Sequence, residues 1–430
     1  MSFAGKKYAV VGLGRNGLPV AHGLIARGAT VRVWDDRHIP DDLEPHDPAL
    51  GYAGFDALVL SPGIPHHLPT PHPAAIAARA AGIPILSDAE LLYQAEPQTR
   101  FVGVTGTNGK STTTALITHI LVNAGIAAAA GGNLGVAALA LPSLGPGGVY
   151  VLEMSSYMLE RLMTLRFDVA VLLNLSPDHL DRHGDMIGYI AAKLHIFDRH
   201  GIAVIGIDDP FSATAAHETG ARTISGHQPA DVWCNAGILT DQDGPLLPMT
   251  EAPCLPGTHN AQNAAAAAAV ASALGVSREA IAAGIASFQG LRHRQQRVAV
   301  QHGVAWINDS KATNADAAAR ALECYARVVW IAGGQAKAGG IENLRPLLHR
   351  VAHAVLIGQD APALARTLDA SGIPYTMADT LDRAVPMARG LAHDLQAEAV
   401  LLSPACASFD QFSGFEARGD RFADLVREAA

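Results

Sequence analysis

The chain has 430 residues, 49% hydrophobic and 17% charged, so it is long and apolar enough to bury cores for two or three domains and is not disordered. Its 31 basic and 40 acidic residues give a net charge of −9, and no basic run or basic–aromatic stripe interrupts the balance, which sets aside nucleic acid and anionic membranes as partners. The 4 cysteines are far apart and form no CxxC pair, which argues against a zinc site or disulfide framework and fits a reducing cytoplasm.

The opening MSFAGKKYAVVGLG runs straight into a strand, without a separate apolar segment or cleavage site. No stretch approaches the ~20 uninterrupted apolar residues of a spanning helix. A cytoplasmic protein is expected. The short β-rich runs ATVRVWD and FDALVLSPG then alternate with helical patterns such as HPAAIAARAAG, predicting a parallel sheet with crossover helices over residues 1–95.

After the linker AEPQTR, a second region over 96–290 carries the near-continuous apolar strands RFVGVTG, GGVYVLE, FDVAVLLNLS and GIAVIGIDD, as expected for a sheet covered on both faces. It closes with the alanine-rich helical run HNAQNAAAAAAVASALG. A third region over 291–430 holds the strands VAWIND, RVVWIAGG, HAVLIG and AVLLSPA between helical patterns. The expected fold is three tandem α/β domains: Rossmann-like at the N-terminus, P-loop ATPase-like in the centre and Rossmann-like at the C-terminus.

Gly12, Gly14 and Gly17 make GLGRNG directly after the first strand, with Asp35 and Asp36 at the end of the next. That spacing suits a pyrophosphate against a helix N-terminus, so NAD or any nucleotide diphosphate would satisfy it. SPGI, from Ser61 through Gly63 to Ile64, follows FDALVL at the carboxyl edge of the same sheet, where ligands bind.

The most informative segment is FVGVTGTNGKSTTTAL over residues 101–116. Its order of strand, glycine turn and helix presents backbone N–H groups of Gly106, Thr107, Asn108 and Gly109 to an anion, with Lys110 able to reach outer phosphates. The hydroxyl of Ser111 or Thr112 can bind magnesium. Val104 stands where the common GxxxxGK[ST] form needs glycine, so the loop is a shorter variant.

Glu153 ends the strand GGVYVLE, well placed for a magnesium that bridges ATP phosphates. Asn174, Asp178, His179 and Asp181 cluster after FDVAVLL; His179 alone could equally be a packed or capping residue, and the company of acids favours a functional role. Lys193 falls on a predicted helix, where its pattern is that of a solvated lysine.

GTNGKST, LEMSSY, NLSPDHLDRHG, AAKLHIF, LPGTHNAQN, RHRQQ, WINDSKATN, IAGG and LLSPACASFDQF, in this order, resemble the Mur ligases of peptidoglycan synthesis along essentially the whole chain. The resemblance implies domains that bind a UDP-sugar, ATP and an amino acid in turn, with UDP-N-acetylmuramoyl-L-alanine and D-glutamate as substrates. It implies two Mg²⁺ ions, one held by Ser111 and Glu153 and the other by His179 and a carbamylated Lys193. Lys110, His179 and Lys193 are then the catalytic set.

It further assigns Asn263, Arg294 and Asp309 to the nucleotide, with Arg15, Asn16, Asp35, Asp36, Arg37, Ser61, Gly63, Asn133 and Ser155 on the UDP substrate. Lys311, Thr313, Lys337, Ser408, Phe409 and Phe415 would receive the amino acid. A monomer is expected. Met158 stands where relatives carry glutamine and Asp36 where they carry threonine. The alternatives are the same ligase chemistry with L-glutamate, an NAD-dependent oxidoreductase built on GLGRNG, a folate-type polyglutamate ligase, or a nucleotide-binding module without activity.

Overall fold

The computed structural model describes residues 3–133, 135–337 and 339–428. The chain forms two compact units, one running to Pro253 and including Thr258–Phe288, the other made of Cys254–Gly257 and the chain from Gln289 onward.

The first unit holds two sheets. In the smaller, Lys7–Val11 pairs in parallel with Thr30–Trp34 on one side and Ala57–Leu60 on the other, and Ile85–Leu86 completes it. Parallel pairing gathers the strand carboxyl ends, and with them GLGRNG, Asp35 and SPGI, along one edge. The glycines make this edge compact. A Cβ on Gly17 would collide with the carbonyl of Gly12, and one on Gly12 with the Ser61 side chain, whereas Gly14 faces open space.

The larger sheet has nine strands, and Arg100–Thr105, third from one edge, lies between Val149–Glu153 and Phe167–Leu172. Every residue of Val149–Glu153 is buried, as covering both faces of a parallel sheet requires. Seven strands run parallel, and the last two, Ile238–Asp241 and Gly244–Pro248, add an antiparallel edge. That edge was not anticipated from the sequence, because its strands are short and broken by NAG and DQDG turns.

The alanine run forms the helix Thr258–Ala273 as expected, with every residue from Asn260 to Ala271 buried; its small side chains let it lie close against neighbours on several sides. One apolar cluster joins Val10 and Val59 of the smaller sheet, with Leu24 of the helix Gly17–Ala26, to Phe101, Tyr150 and Leu152 of the larger, so the two sheets share a core.

The second unit is one six-stranded sheet, in the order Gln296–Gln301, Val304–Asn308, Ala399–Leu402, Val328–Gly333, Val351–Ile357 and Tyr375–Asp379. Only the first pairing is antiparallel. Apolar layers cover both faces, one around Trp330 and the other around Trp306 and Phe422.

Candidate active site

The phosphate loop joins the strand Arg100–Thr105 to the helix Lys110–Asn123. Gly109 sits at the helix N-cap with φ +85°, a left-handed conformation that costs a side chain strain, and Asn263 Oδ1 occupies the space its Cβ would need. Lys110 folds back over the loop and donates to the carbonyls of Gly106 at 2.7 Å and Thr107 at 2.8 Å.

The loop is held from outside by a second turn. Asn108 N donates to Asn174 Oδ1 at 2.9 Å, and Asn174 Nδ2 donates to Asn108 O at 3.2 Å and to Gln262 Oε1 at 3.3 Å. Thr107 Oγ1 lies 3.1 Å from the Tyr189 hydroxyl. The backbone N–H groups of the helix start therefore remain fixed toward the place an anion would take.

At the carboxyl end of the next strand, Ser111 Oγ donates to Glu153 Oε2 at 2.6 Å, and Asn133 Nδ2 donates to Glu153 Oε1 at 2.8 Å. Of the two hydroxyls raised by the sequence, Ser111 is thus the one on the carboxylate. The anionic and hydroxyl oxygens of Glu153 and Ser111 are hard donors of the kind magnesium takes.

Lys193 departs from its sequence pattern. It lies on the helix Met186–Leu194 but is only 2% exposed, and its Nζ donates to Gly106 O at 2.9 Å and Thr105 Oγ1 at 3.2 Å. The helix brings it under the phosphate loop, which no local periodicity could indicate. Burial, and next the charge of Lys110, push the Lys193 amine well below its ordinary value, against the pull of Asp178 and Glu153.

His179 adopts φ +52° ahead of the single helical turn Leu180–His183. Its ring lies 3.5 Å from the Asp178 carboxylate and 5.2 Å, centroid to centroid, from Tyr157. Among the described residues, no three His, Cys, Asp or Glu side chains converge as a ready-made metal cage. An ammonium at Lys193 opposes a cation there, whereas a carbamate would supply an anionic oxygen ligand.

In the smaller sheet, a cleft of about 660 Å³ is lined by Gly12, Gly14, Arg15, Asn16, Asp35, Asp36, Arg37, Ser61, Gly63 and Asn133, so nearly all the residues assigned to the UDP substrate come together. Ser155 does not line it; it caps the short helix Ser156–Leu159 through Met158 N at 3.3 Å. Asp35 accepts from Leu13 N at 2.6 Å and Arg37 N at 2.9 Å; burial opposes its charge, but these amides and that of His38 outweigh it and hold its carboxyl below the ordinary value. Ser61 Oγ donates to Gly12 O at 2.6 Å and ties SPGI to the glycine turn. Met158 is fully buried in the shared core.

In the second unit, Asp309 is buried, accepting from Ser403 Oγ at 2.7 Å and Gln295 N at 3.1 Å, and burial still raises its carboxyl to about 7. Lys311 Nζ lies 3.9 Å from the Phe415 ring centroid, and Arg294 contributes charge near Asp309. Ser408 is buried, while Phe409 at 70% and Lys337 are exposed. Thr313 N donates to Lys311 O at 2.8 Å. Three further residues join the site without being expected there: Asn260, whose Oδ1 accepts from Asn263 Nδ2 at 3.1 Å, Gln262 and Tyr189. The HNAQN motif carried a signal for Asn260 and Gln262; Tyr189 carried none.

Fold and site define an α/β enzyme that binds a nucleotide on a variant phosphate loop. The Mur ligase middle domain model matches residues 104–271. The chain is 50% identical to UDP-N-acetylmuramoylalanine–D-glutamate ligase of Paramagnetospirillum magneticum over 98% of this chain and 96% of that protein. It is 46% identical to the enzyme of the same name in Rhodospirillum rubrum over 100% and 96%.

A similar fold occurs in the UDP-N-acetylmuramate-alanine ligase of Thermotoga maritima, with TM-score 0.64 at 17% identity, covering 99% of this chain and 100% of that one. The chain belongs to the Mur ligases, ATP-dependent enzymes that form amide bonds. That membership removes the oxidoreductase alternative, which rested on Gly12, Gly14 and Gly17 alone.

Proposed function

We propose that the chain joins D-glutamate to the carboxylate of UDP-N-acetylmuramoyl-L-alanine, working in the cytoplasm as a monomer. The observation that carries this reading is the Lys110, Ser111–Glu153 and Lys193 arrangement at one end of the phosphate loop, next to a cleft shaped for a nucleotide diphosphate. The near-full-length relatives that bear this activity in their names support the choice of substrates.

ATP lies with its phosphates along Gly106–Ser111, and Lys110 swings from the Gly106 and Thr107 carbonyls to the transferring phosphoryl group. The substrate carboxylate attacks the γ-phosphorus; a P–O bond forms, the bond to ADP breaks, and an acyl phosphate results. The amine of D-glutamate then adds to the acyl carbon and inorganic phosphate leaves, with one carboxylate oxygen. Asn263, Arg294 and Asp309 bind the nucleotide, and Thr107, Asn108 and Thr112 belong to its phosphate cradle.

Two magnesium ions would neutralise charge on the phosphates. Ser111 and Glu153 would hold one, and His179 with carbamylated Lys193 the other. Arg15, Asn16, Asp35, Asp36, Arg37, Ser61, Gly63, Asn133 and Ser155 receive the UDP substrate; Lys311, Thr313, Lys337, Ser408, Phe409 and Phe415 receive glutamate. ADP release measured while each reactant is omitted in turn tests the proposal: turnover must vanish without the UDP substrate, D-glutamate or magnesium, and turnover with L-glutamate in place of the D-isomer would refute the stereochemical assignment.

A further inference from the structure

The turn that carries His179 cannot hold itself. It is a single helical turn, Leu180–His183, between the positive φ of His179 at +52° and of Gly184 at +85°. One hydrogen-bonded turn is unfavourable in isolation, so its order depends on what grips it. Tyr157 is the main grip, with its ring stacked on His183 at 5.5 Å and 16° and the Arg182 guanidinium 4.2 Å from its centroid. His183 is fixed in turn, 2.9 Å from Ser156 Oγ.

The second grip leads away from the turn. Arg182 Nη1 donates to the carbonyl of Gly63 at 3.1 Å. Gly63 lines the diphosphate cleft, and its neighbours Leu60 and Ile64 give their carbonyls to buried Arg161 at 2.6 and 2.9 Å. Ser61 in the same loop holds the glycine turn through Gly12 O. Gly63 thus has one face on the cleft and its carbonyl on the His179 turn.

We propose that Arg182 is a positioning residue that couples occupancy of the diphosphate cleft to the order of the His179 turn through the Gly63 peptide. A ligand that immobilises residues 61–64 removes freedom from the acceptor of Arg182, and Arg182, stacked on Tyr157, transmits that restraint to the turn. The coupling rests on the reading of the cleft as a UDP site.

The experiment is hydrogen–deuterium exchange of the full chain with and without UDP, which fills the cleft but carries no carboxylate to the catalytic centre. In the unsubstituted protein UDP slows exchange at both 61–66 and 178–185. In Arg182→Ala, UDP still slows 61–66, but its effect on 178–185 falls by about fivefold or more. Arg182→Lys, still able to donate to the Gly63 carbonyl, retains part of the response. Protection of 61–66 without 178–185 in the unsubstituted protein, or equal protection of 178–185 in Arg182→Ala, overturns the coupling alone. Absence of protection at 61–66 overturns the UDP reading of the cleft, and the coupling with it.

Discussion

Lys193 and Lys110 share one acceptor: the carbonyl oxygen of Gly106 lies 2.9 Å from Lys193 Nζ and 2.7 Å from Lys110 Nζ. Two ammonium groups converging on one carbonyl repel each other, and the buried member yields first. Burial, and next the charge of Lys110, push the Lys193 amine well below its ordinary value, toward the neutral form that adds carbon dioxide. Substituting Lys193→Ala is expected to lower turnover on the order of 10²–10³-fold, with partial recovery in formate or acetate. Labelling with ¹³C-bicarbonate should give a carbamate resonance that the variant lacks. A fully active variant, or no carbamate in the unsubstituted protein, contradicts the assignment.

Glu153 has both oxygens engaged, one by Ser111 and one by Asn133. In Glu153→Gln the amide oxygen can still accept from Asn133 and the NH₂ can donate to the Ser111 hydroxyl, so what is lost is the anionic charge. The magnesium concentration for half-maximal ADP release should rise about tenfold or more, with only a small drop in melting temperature. An unchanged magnesium titration would show that Glu153 is not a ligand.

Gly109→Ala places a methyl group in a left-handed backbone and against Asn263 Oδ1. The expected loss is about 1–3 kcal/mol in urea unfolding, with weaker binding of a non-hydrolysable ATP analogue in calorimetry. Stability and affinity equal to the unsubstituted protein would mean that the loop relaxes freely and that its shape is not imposed by Asn263.

Burial raises Asp309 to about 7, above the 3.8 of an unperturbed carboxyl. Between those values the folded chain keeps a proton that the unfolded chain has released. Stability from this group is therefore full below the unfolded value and is lost as pH rises through about 7. Between about pH 5 and about pH 8 the loss is on the order of 3 kcal/mol relative to Asp309→Asn, which cannot ionise. Urea unfolding of both proteins at about pH 5 and about pH 8 measures the difference; parallel profiles would contradict it.

Much of this was legible in the residues. The strand–glycine–helix order at Gly106–Ser111 and the carboxylate ending Val149–Glu153 announced their own geometry, because chain direction in a parallel sheet sends both to one edge. Lys193 was not legible from local pattern, since its burial depends on a helix packing beneath a loop 87 residues earlier in the chain. Asp35 and Ser61 line the cleft and also hold its backbone through hydrogen bonds, a second role that their place in the sequence did not announce. Arg182 and Tyr157 stayed hidden for the same reason as Lys193: their partners lie on distant segments, and only the fold supplies them.

The central claim is that ATP bound on this loop activates a carboxylate. Its most direct measurement uses UDP-N-acetylmuramoyl-L-alanine with ¹⁸O at both oxygens of the terminal carboxylate, together with ATP, magnesium and D-glutamate, followed by mass analysis of the inorganic phosphate. One ¹⁸O atom is expected in each phosphate released with amide product. Phosphate free of ¹⁸O, alongside the same yield of amide, would contradict it.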